Sequence, residues 1–244
     1  MSLLNYTIVD ILGTGLFGTA YLIDSVDREG KSIRAVLKIQ KCFEFDIQIP
    51  NSSRGMKSAI RRELNFYKFV NLLPESKAKY FTKLLTYDFV KNCKHKINRP
   101  WTPTQNNNKE LYKRLNELDK SDWCVRHIIE AKGMNVSKFI NSSKFKNISS
   151  KGFNNFLKQF AKQMYEATEI MREAKFIHGD IHLENVCVSL KNQQYKFAII
   201  DYGEILNEKL DRVHFKAEGN TRRTISRKYL DDMRNPLYYA VWDM

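Results

Sequence analysis

The sequence predicts an α+β fold, because strand-like segments dominate its first part and long helical stretches follow. Residues 6–11, 20–24 and 33–39 form short apolar runs that are rich in β-branched residues and separated by turn residues. Such runs are typical of an antiparallel meander. Apolar residues then recur every three or four positions across 56–73 and 153–174. This period predicts two helices that each bury one face.

Further strands are predicted between and after these helices. Two apolar runs, 81–89 and 123–130, enclose a polar stretch, 91–122, that contains prolines and consecutive asparagines. We interpret this stretch as a surface insertion with a short helix over 110–118. After the second long helix, two more apolar runs predict a hairpin within 186–201.

Composition and charge narrow the class of protein. The 244 residues are 43% hydrophobic, which supports a packed core and argues against disorder. The net charge of +14 favours anionic ligands. The lysines are scattered, and the sequence has no dense basic block of the kind found in nucleic-acid-binding arms. Nucleic acid is therefore not specifically indicated as a partner.

The cysteines and the N-terminal residues bear on location. The four cysteines, Cys42, Cys93, Cys124 and Cys187, include no C-x-x-C pair, so neither a zinc site nor a redox motif is indicated. The sequence has no charged-then-apolar signal segment and no apolar stretch of transmembrane length. We expect no membrane association and an intracellular, cytoplasmic or nuclear, location in a reducing compartment. The Asn-, Lys- and Ile-rich composition suggests a virus or another AT-rich intracellular genome, and for a virus the compartment is that of the host cell.

The first chemical motif is a glycine-rich turn, Gly13-Thr-Gly15-Leu-Phe-Gly18. A G-x-G-x-x-G turn before a helix binds a dinucleotide, whereas the same turn between two antiparallel strands covers the phosphates of ATP. Strand-like residues follow here from Ala20, which favours the second interpretation. The structural alternative is a tight hairpin that needs glycine for its backbone geometry.

A lysine and a glutamate follow in the order that an ATP site needs. Lys38 ends the apolar run Ala35-Val-Leu-Lys, and a lysine at the end of a buried strand requires an anionic partner. Phosphate oxygens and a carboxylate meet that need, and Glu63 on the following helix is well placed to pair with Lys38. Each residue alone is commonplace, and their order after the glycine-rich turn gives them weight.

Two loops carry the remaining polar motifs. The first is His178-Gly-Asp180-Ile-His182-Leu-Glu-Asn185, and the second is Asp201-Tyr-Gly203. A pair of capped turns would also use Asp, Asn and Gly. Capped turns do not explain why all five motifs occur in one order on the predicted types of element.

Taken in order, the five motifs resemble the protein-kinase superfamily from about residue 6 to residue 203. The resemblance implies a bilobal protein-kinase fold with an antiparallel-sheet N-lobe over 1–130, in which 91–122 is the surface insertion. It also implies a mostly helical, shortened C-lobe over 131–244. The stretch 132–135 is similar to the casein-kinase-one and vaccinia-related branch, whereas His182 is similar to haspin-type and small-molecule kinases, and both branches stay open.

The resemblance further implies a Ser/Thr protein kinase that transfers the γ-phosphate of ATP to a protein substrate. In such an enzyme Asp180 is the catalytic base, and Lys38 pairs with Glu63. Asn185 and Asp201 hold Mg²⁺. The residues implied to bind ATP are Gly13, Gly15, Gly18, Ala20, Val36, Lys38 and Glu130, with Ile129 as the gatekeeper.

Two residues of the catalytic loop depart from the family pattern. Gly179 stands where an arginine normally receives an activation-loop phosphate, so activation by loop phosphorylation is not expected. His182, which we count among the catalytic residues, stands where protein kinases have a lysine that contacts the γ-phosphate. Histidine is a cation only part of the time at neutral pH, so a lower rate or a different acceptor is expected. The alternatives are a small-molecule phosphotransferase and a pseudokinase scaffold that binds partners without transferring phosphate.

The C-terminal residues also depart from the family. Residues 204–244 lack the A-P-E element. The segment 219–224 is expected to position the substrate instead, and Asp232 is expected to lie in a central helix of the C-lobe. If the lobe ends there, apolar residues such as Trp242 are exposed, and we expect a partner or a second copy of the chain to cover them.

Overall fold

The computed structural model describes residues 6–26, 30–44, 59–98 and 109–207. These residues form a mixture of helices and antiparallel sheets, which confirms the predicted α+β class. The segment 219–224 and Asp232 lie outside the described residues. Within those residues, no helix combines the length and the apolar character that crossing a membrane requires.

The elements follow one another in an order close to that predicted. In chain order they are β1 (Tyr6–Thr14), β2 (Gly18–Val26), β3 (Ser32–Cys42), α1 (Ala59–Leu72), α2 (Glu75–Ala78), β4 (Leu84–Val90), α3 (Lys109–Asp119), β5 (Trp123–Glu130), β6 (Met134–Asn135), α4 (Val136–Ile140), α5 (Ser143–Lys146), α6 (Ser150–Glu173), β7 (Phe176–Ile177), β8 (Val186–Lys191), β9 (Gln194–Ile199) and β10 (Leu206–Asn207). The chain divides into two compact units, Met1–Arg61 with Lys83–Ala131, and Arg62–Thr82 with Lys132–Met244.

The first unit is built on a five-stranded antiparallel sheet in the order β1-β2-β3-β5-β4. Side chains alternate between the two faces of each strand, so apolar residues two apart collect on one face. Ile23, Ala35, Leu37 and Ile128 are fully buried on that face and form a core cluster. The residues between them point to the opposite face of the sheet, away from this core cluster.

A helix and a disulfide complete the first unit. The helix expected over 110–118 is confirmed as α3, whose Leu115 and Leu118 are buried. Cys93, three residues after β4, is bonded to Cys124 in β5. The sequence contained no indication of this bond, because the two cysteines are 31 residues apart and meet only through the pairing of β4 with β5.

The second unit packs aromatic residues around the long helix and the loops that follow it. Helix α6 begins after Ser149, whose hydroxyl accepts a hydrogen bond from the Gly152 amide and caps the helix. The predicted hairpin is confirmed as β8 and β9, and β6 pairs with β8. Phe66 of α1 lies 4.5 Å from the Tyr202 ring and 5.0 Å from the Phe176 ring, measured between centroids. These contacts bury the ends of both polar loops against α1.

One predicted strand starts later than expected. The apolar run 81–89 becomes β4 only from Leu84. Phe81 instead forms an isolated parallel bridge with Ile199, and the Thr82 amide donates to the Ile199 carbonyl. The first residues of the run are therefore used by the second unit to hold the end of β9.

Candidate functional site

The glycine-rich turn joins β1 to β2 in the first unit, as the interpretation as a phosphate loop requires. The turn is closed by a hydrogen bond of 2.9 Å from the Gly15 amide to the Gly18 carbonyl. A Cβ at Gly13 or Gly15 would meet nothing within 4 Å, so the outer side of the turn is open. A Cβ at Gly18 would lie 2.1 Å from the Ile39 carbonyl oxygen, so only glycine allows β2 to start this close to β3.

The strand register places three predicted ATP-binding residues on one face of the sheet. Ala20 lies directly opposite Lys38, and Leu22 lies opposite Val36. Because opposite residues of paired strands share a face, Ala20, Val36 and Lys38 lie on the same side. Ile129, the proposed gatekeeper, lies opposite Val36 and shares that side too. It is the side away from the core cluster.

Glu130 is the exception among the predicted ATP-binding residues. It lies opposite Ala35, which belongs to the other face of the sheet. Its carboxylate accepts a hydrogen bond of 3.1 Å from the Lys83 amide, and its own amide donates to the Lys83 carbonyl at 3.0 Å. The Glu130 side chain thus holds the start of β4 and does not project with Ala20 and Lys38.

In the second unit, the residues predicted for the catalytic loop come together. The Asn185 Nδ2 atom lies 2.9 Å from the Asp180 carbonyl oxygen and 3.1 Å from Asp180 Oδ2. His182 Nε2 lies 2.9 Å from Asn185 Nδ2 and 3.6 Å from Asp180 Oδ2. The Asp180 side chain is 53% exposed, whereas Asn185 is only 8% exposed. A buried amide therefore positions a carboxylate that solvent can reach.

Both ring nitrogens of His182 lie within hydrogen-bond distance of groups in the same loop. The Glu184 amide donates to His182 Nδ1 at 3.3 Å, and His182 Nε2 lies 2.9 Å from Asn185 Nδ2. Because Asn185 Nδ2 also donates to Asp180, the Asn185 amide connects the His182 ring to the Asp180 carboxylate.

Asp201 is held next to this loop by the backbone. Its neighbour Ile200 donates its amide hydrogen to the Asn185 carbonyl at 2.9 Å, and the Ile200 carbonyl lies 3.1 Å from His178 Nε2. Asp201 has a φ of 58°, which is uncommon for a residue with a side chain. Such backbone strain is typical of functional sites, where the surrounding structure imposes it.

Asn185 and Asp201 carry oxygen atoms of the kind that Mg²⁺ prefers as ligands. The Asn185 amide nitrogen is turned towards Asp180, so its oxygen is directed away from that carboxylate. Among the residues that the structure describes, no group of three or more His, Cys, Asp and Glu side chains is arranged to hold a metal. Mg²⁺ does not need such a group, because it retains several waters and takes one or two protein oxygens together with phosphate.

Tyr202 and His178 hold the two polar loops in place, a role that the sequence did not reveal. The Tyr202 hydroxyl lies 2.8 Å from the Ile199 carbonyl, to which it donates, and it accepts from the Thr82 amide at 2.9 Å. The His178 ring is buried against the Tyr202 ring at 5.8 Å, and burial lowers the pKa of His178 below its ordinary value. The aromatic residue after Asp201 is thus fixed by hydrogen bonds as well as by packing.

Glu63 lies in the same buried region of the second unit. Its side chain is fully buried, one helical turn before Tyr67. Burial, followed by the negative charge of Glu63, raises the pKa of Tyr67 well above its usual range. The pairing of Glu63 with Lys38 joins residues of the two units and stays a prediction.

Gly179 has a local structural reason to be glycine. Its φ is 84°, and a Cβ there would lie 2.7 Å from the Glu204 carbonyl oxygen. Strands β7 and β10 bring these residues together, because Leu206 pairs with Ile177. An arginine at this position would be strained in the observed loop, whatever its charge could bind.

Comparison with known proteins adds no family to this description. No model of a known protein family matches the chain, and no curated protein matches it significantly.

Proposed function

We propose that the chain is an ATP-dependent phosphotransferase with the bilobal protein-kinase fold, and that it phosphorylates Ser or Thr hydroxyls of protein substrates. The observation that carries this proposal is the Asp180–Asn185 pair, in which a buried amide holds an exposed carboxylate beside Asp201. General bases need this combination of a fixed position and access to the reacting hydroxyl.

Each group has a defined task in this proposal. Asp180 orients the acceptor hydroxyl and takes its proton as the oxygen attacks the γ-phosphorus. Asn185 and Asp201 would hold Mg²⁺, which would neutralise charge on the β- and γ-phosphates. Lys38 and the open backbone of the glycine-rich turn would bind phosphate oxygens from the first unit.

His182 favours a second candidate, a phosphotransferase with a small-molecule acceptor. Histidine supplies no permanent positive charge, and His182 Nε2 lies 2.9 Å from Asn185 Nδ2 and 3.6 Å from Asp180 Oδ2. A protein acceptor remains our first choice, because the Asp180 carboxylate is exposed at the surface of its loop. A scaffold that binds without catalysis is the third candidate, and it gives no role to the strained Asp201.

The decisive experiment is transfer of labelled phosphate from ATP with Mg²⁺ to casein, to a basic protein and to the chain itself. Asp180→Asn retains the shape of the side chain and removes the base, so we expect label on Ser or Thr to fall by at least about a hundredfold. Nucleotide binding, measured by thermal shift, should remain nearly unchanged.

A matched variant, Glu173→Gln, removes a carboxylate from the exposed end of α6 and should transfer at the wild-type rate. A full transfer rate in Asp180→Asn would overturn the assignment of the base. Nucleotide binding without label on any protein would favour the small-molecule acceptor, and absence of binding would favour the scaffold.

A further inference from the structure

The Cys93–Cys124 disulfide lies in the first unit and joins Cys93, within the predicted insertion 91–122, to Cys124 in β5. Cys124 is fully buried, whereas Cys93 is half-buried. The Cys93 amide donates to the Asp122 carbonyl at 2.8 Å, and this hydrogen bond continues the pairing of β4 with β5. The covalent ring that it closes contains α3.

Lys41 connects both ends of this ring to the glycine-rich turn. It is buried and lies directly opposite Cys124 in the register of β3 and β5. Its Nζ donates to the Cys93 carbonyl at 3.1 Å and to the Ser121 carbonyl at 2.6 Å. Its backbone amide donates to the carbonyl of Phe17, inside the glycine-rich turn, at 3.1 Å.

A second connection runs through the side chains of α3. The guanidinium carbon of Arg114 lies 5.8 Å from the centroid of the Phe17 ring, which is within the range of a cation–π contact. Leu115 and Leu118 fix α3 by burying its apolar side. Helix α3, which the disulfide ring encloses, therefore contacts Phe17. The carbonyl of Phe17 is also the group that accepts the hydrogen bond from the Lys41 amide.

We propose that the Cys93–Cys124 disulfide is a redox-sensitive clamp that sets the mobility of the glycine-rich turn. With the bond intact, Cys93, Ser121 and α3 are fixed, and the Lys41 and Arg114 contacts hold Phe17 in place. When the bond is reduced, the segment after β4 is tied to β5 only by non-covalent contacts. The turn then loses part of its support and binds phosphate less tightly.

The reaction that opens the clamp requires a dithiol reductant. A thiolate of the dithiol attacks the sulfur of Cys93, the less buried of the two residues, the S–S bond breaks, and Cys124 leaves as a thiolate that is then protonated. The second thiol of the reductant attacks the mixed disulfide and releases Cys93. The protein gains two electrons and two protons, and the dithiol becomes a disulfide.

In the reducing intracellular compartment that the sequence predicts, this reaction would act as a redox switch. Disulfides in reducing compartments are mostly transient and serve catalysis or redox sensing, whereas permanent ones belong to oxidising compartments. A clamp that opens with a dithiol would couple the redox state to nucleotide affinity. The effect on affinity rests on the proposed function, but the effect on the turn does not.

The first test measures hydrogen exchange of the full chain before and after treatment with a dithiol, with intact mass confirming that the bond is open. The amide hydrogens of Gly15 and Lys41 form the hydrogen bonds of the turn, so their exchange should become about two- to fivefold faster, the factor that corresponds to one lost cation–π contact. The Phe197 amide, in the other unit, should be unchanged. Unchanged exchange at Gly15 and Lys41 in the reduced protein would overturn the clamp.

Variants separate the bond from general effects of the dithiol. Cys93→Ser should show the fast exchange without reductant and should not respond to dithiol. Cys187→Ser removes a buried free thiol from the second unit and should respond like the wild type. Arg114→Ala keeps the disulfide and should accelerate exchange at Gly15 in the oxidised protein. A dithiol response that persists in Cys93→Ser would contradict the assignment.

The second test measures the Kd for Mg²⁺–ATP in the oxidised and reduced states. We expect the reduced protein to bind about two- to fivefold more weakly, in step with the exchange of Gly15. If the oxidised and reduced proteins bind Mg²⁺–ATP equally while hydrogen exchange at Gly15 differs, the proposal that the disulfide controls nucleotide binding is wrong. If neither state binds the nucleotide, the proposed function fails, and hydrogen exchange still decides whether the clamp exists.

Discussion

The glycine-rich turn of the first unit and the polar loops of the second unit are built in opposite ways. The turn is held mainly by backbone hydrogen bonds, and the positions beyond Gly13 and Gly15 are open. The loops are held by buried side chains, among them His178, Asn185 and Tyr202. We therefore infer that the turn is adaptable and that the loops are preorganised.

The largest expected difference between the regions comes from adding one methyl group to a glycine in each. Gly179→Ala forces a side chain into a positive φ and against the Glu204 carbonyl, so the second unit should lose about 2–3 kcal/mol of unfolding free energy. Gly15→Ala places its Cβ in open space and should change the stability of the first unit by less than about 0.5 kcal/mol. Denaturant unfolding measures both changes.

Gly203→Ala is the control for Gly179→Ala, because it lies in the same region and its nearest new contact, to Asp201 Oδ1, is an ordinary 3.5 Å. It should be much less destabilising. Equal losses in Gly179→Ala and Gly15→Ala would remove the distinction between a preorganised loop and an adaptable turn.

A smaller expected effect concerns the protonation of His178. Burial lowers its pKa in the folded protein, so the unfolded chain binds a proton more readily as the pH falls. Stability is therefore complete above the ordinary histidine pKa of about 6.5 and is lost as the pH falls below it. The slope is at most about 1.4 kcal/mol per pH unit, so we expect a loss of about 1 kcal/mol between pH 7 and pH 5.5.

The His178→Gln variant isolates this contribution, because glutamine keeps an N–H donor for the Ile200 carbonyl and does not titrate. Denaturant unfolding at several pH values, without divalent cations, should give a shallower slope in the variant. Burial also lowers the pKa of His95. His95 and the exposed titratable groups are present in both proteins, so they contribute equally to the two pH profiles. Identical pH profiles would mean that the pKa of His178 is the same in the folded and the unfolded chain.

The elements of the fold were predictable where one periodicity dominates a long segment. The strand 123–130 matches β5 residue for residue, and the helix predicted over 153–174 is α6 with a slightly earlier start. The start of β4 was not predictable, because Phe81 is used in a bridge with Ile199 that only the folded chain creates. Local patterns determine which type of element forms, and tertiary pairing determines where it begins.

In the candidate site, too, local contacts were predictable from the sequence, whereas contacts made by tertiary pairing were not. The spacing of Asp180 and Asn185 indicated that they would act together, and their contact is a property of one short loop. The Cys93–Cys124 bond and the Lys41 contacts depend on the register of three strands, which no local pattern encodes. The position of Glu130 likewise follows from its partner Ala35 in the sheet and not from its place after an apolar run.

The Tyr202→Phe variant is expected to have the smallest effect and tests how the preorganised region is held. It retains the ring that packs on Phe66 and removes only the hydroxyl. The Thr82 amide still donates to the Ile199 carbonyl at 3.2 Å, so no buried donor is stranded and the loss should be about 0.5–1 kcal/mol. Tyr165→Phe, at an exposed position on α6, should be neutral in the same unfolding experiment. If Tyr202→Phe were neutral as well, aromatic packing alone would hold Asp201 in its strained conformation, and the hydroxyl would contribute nothing to preorganisation.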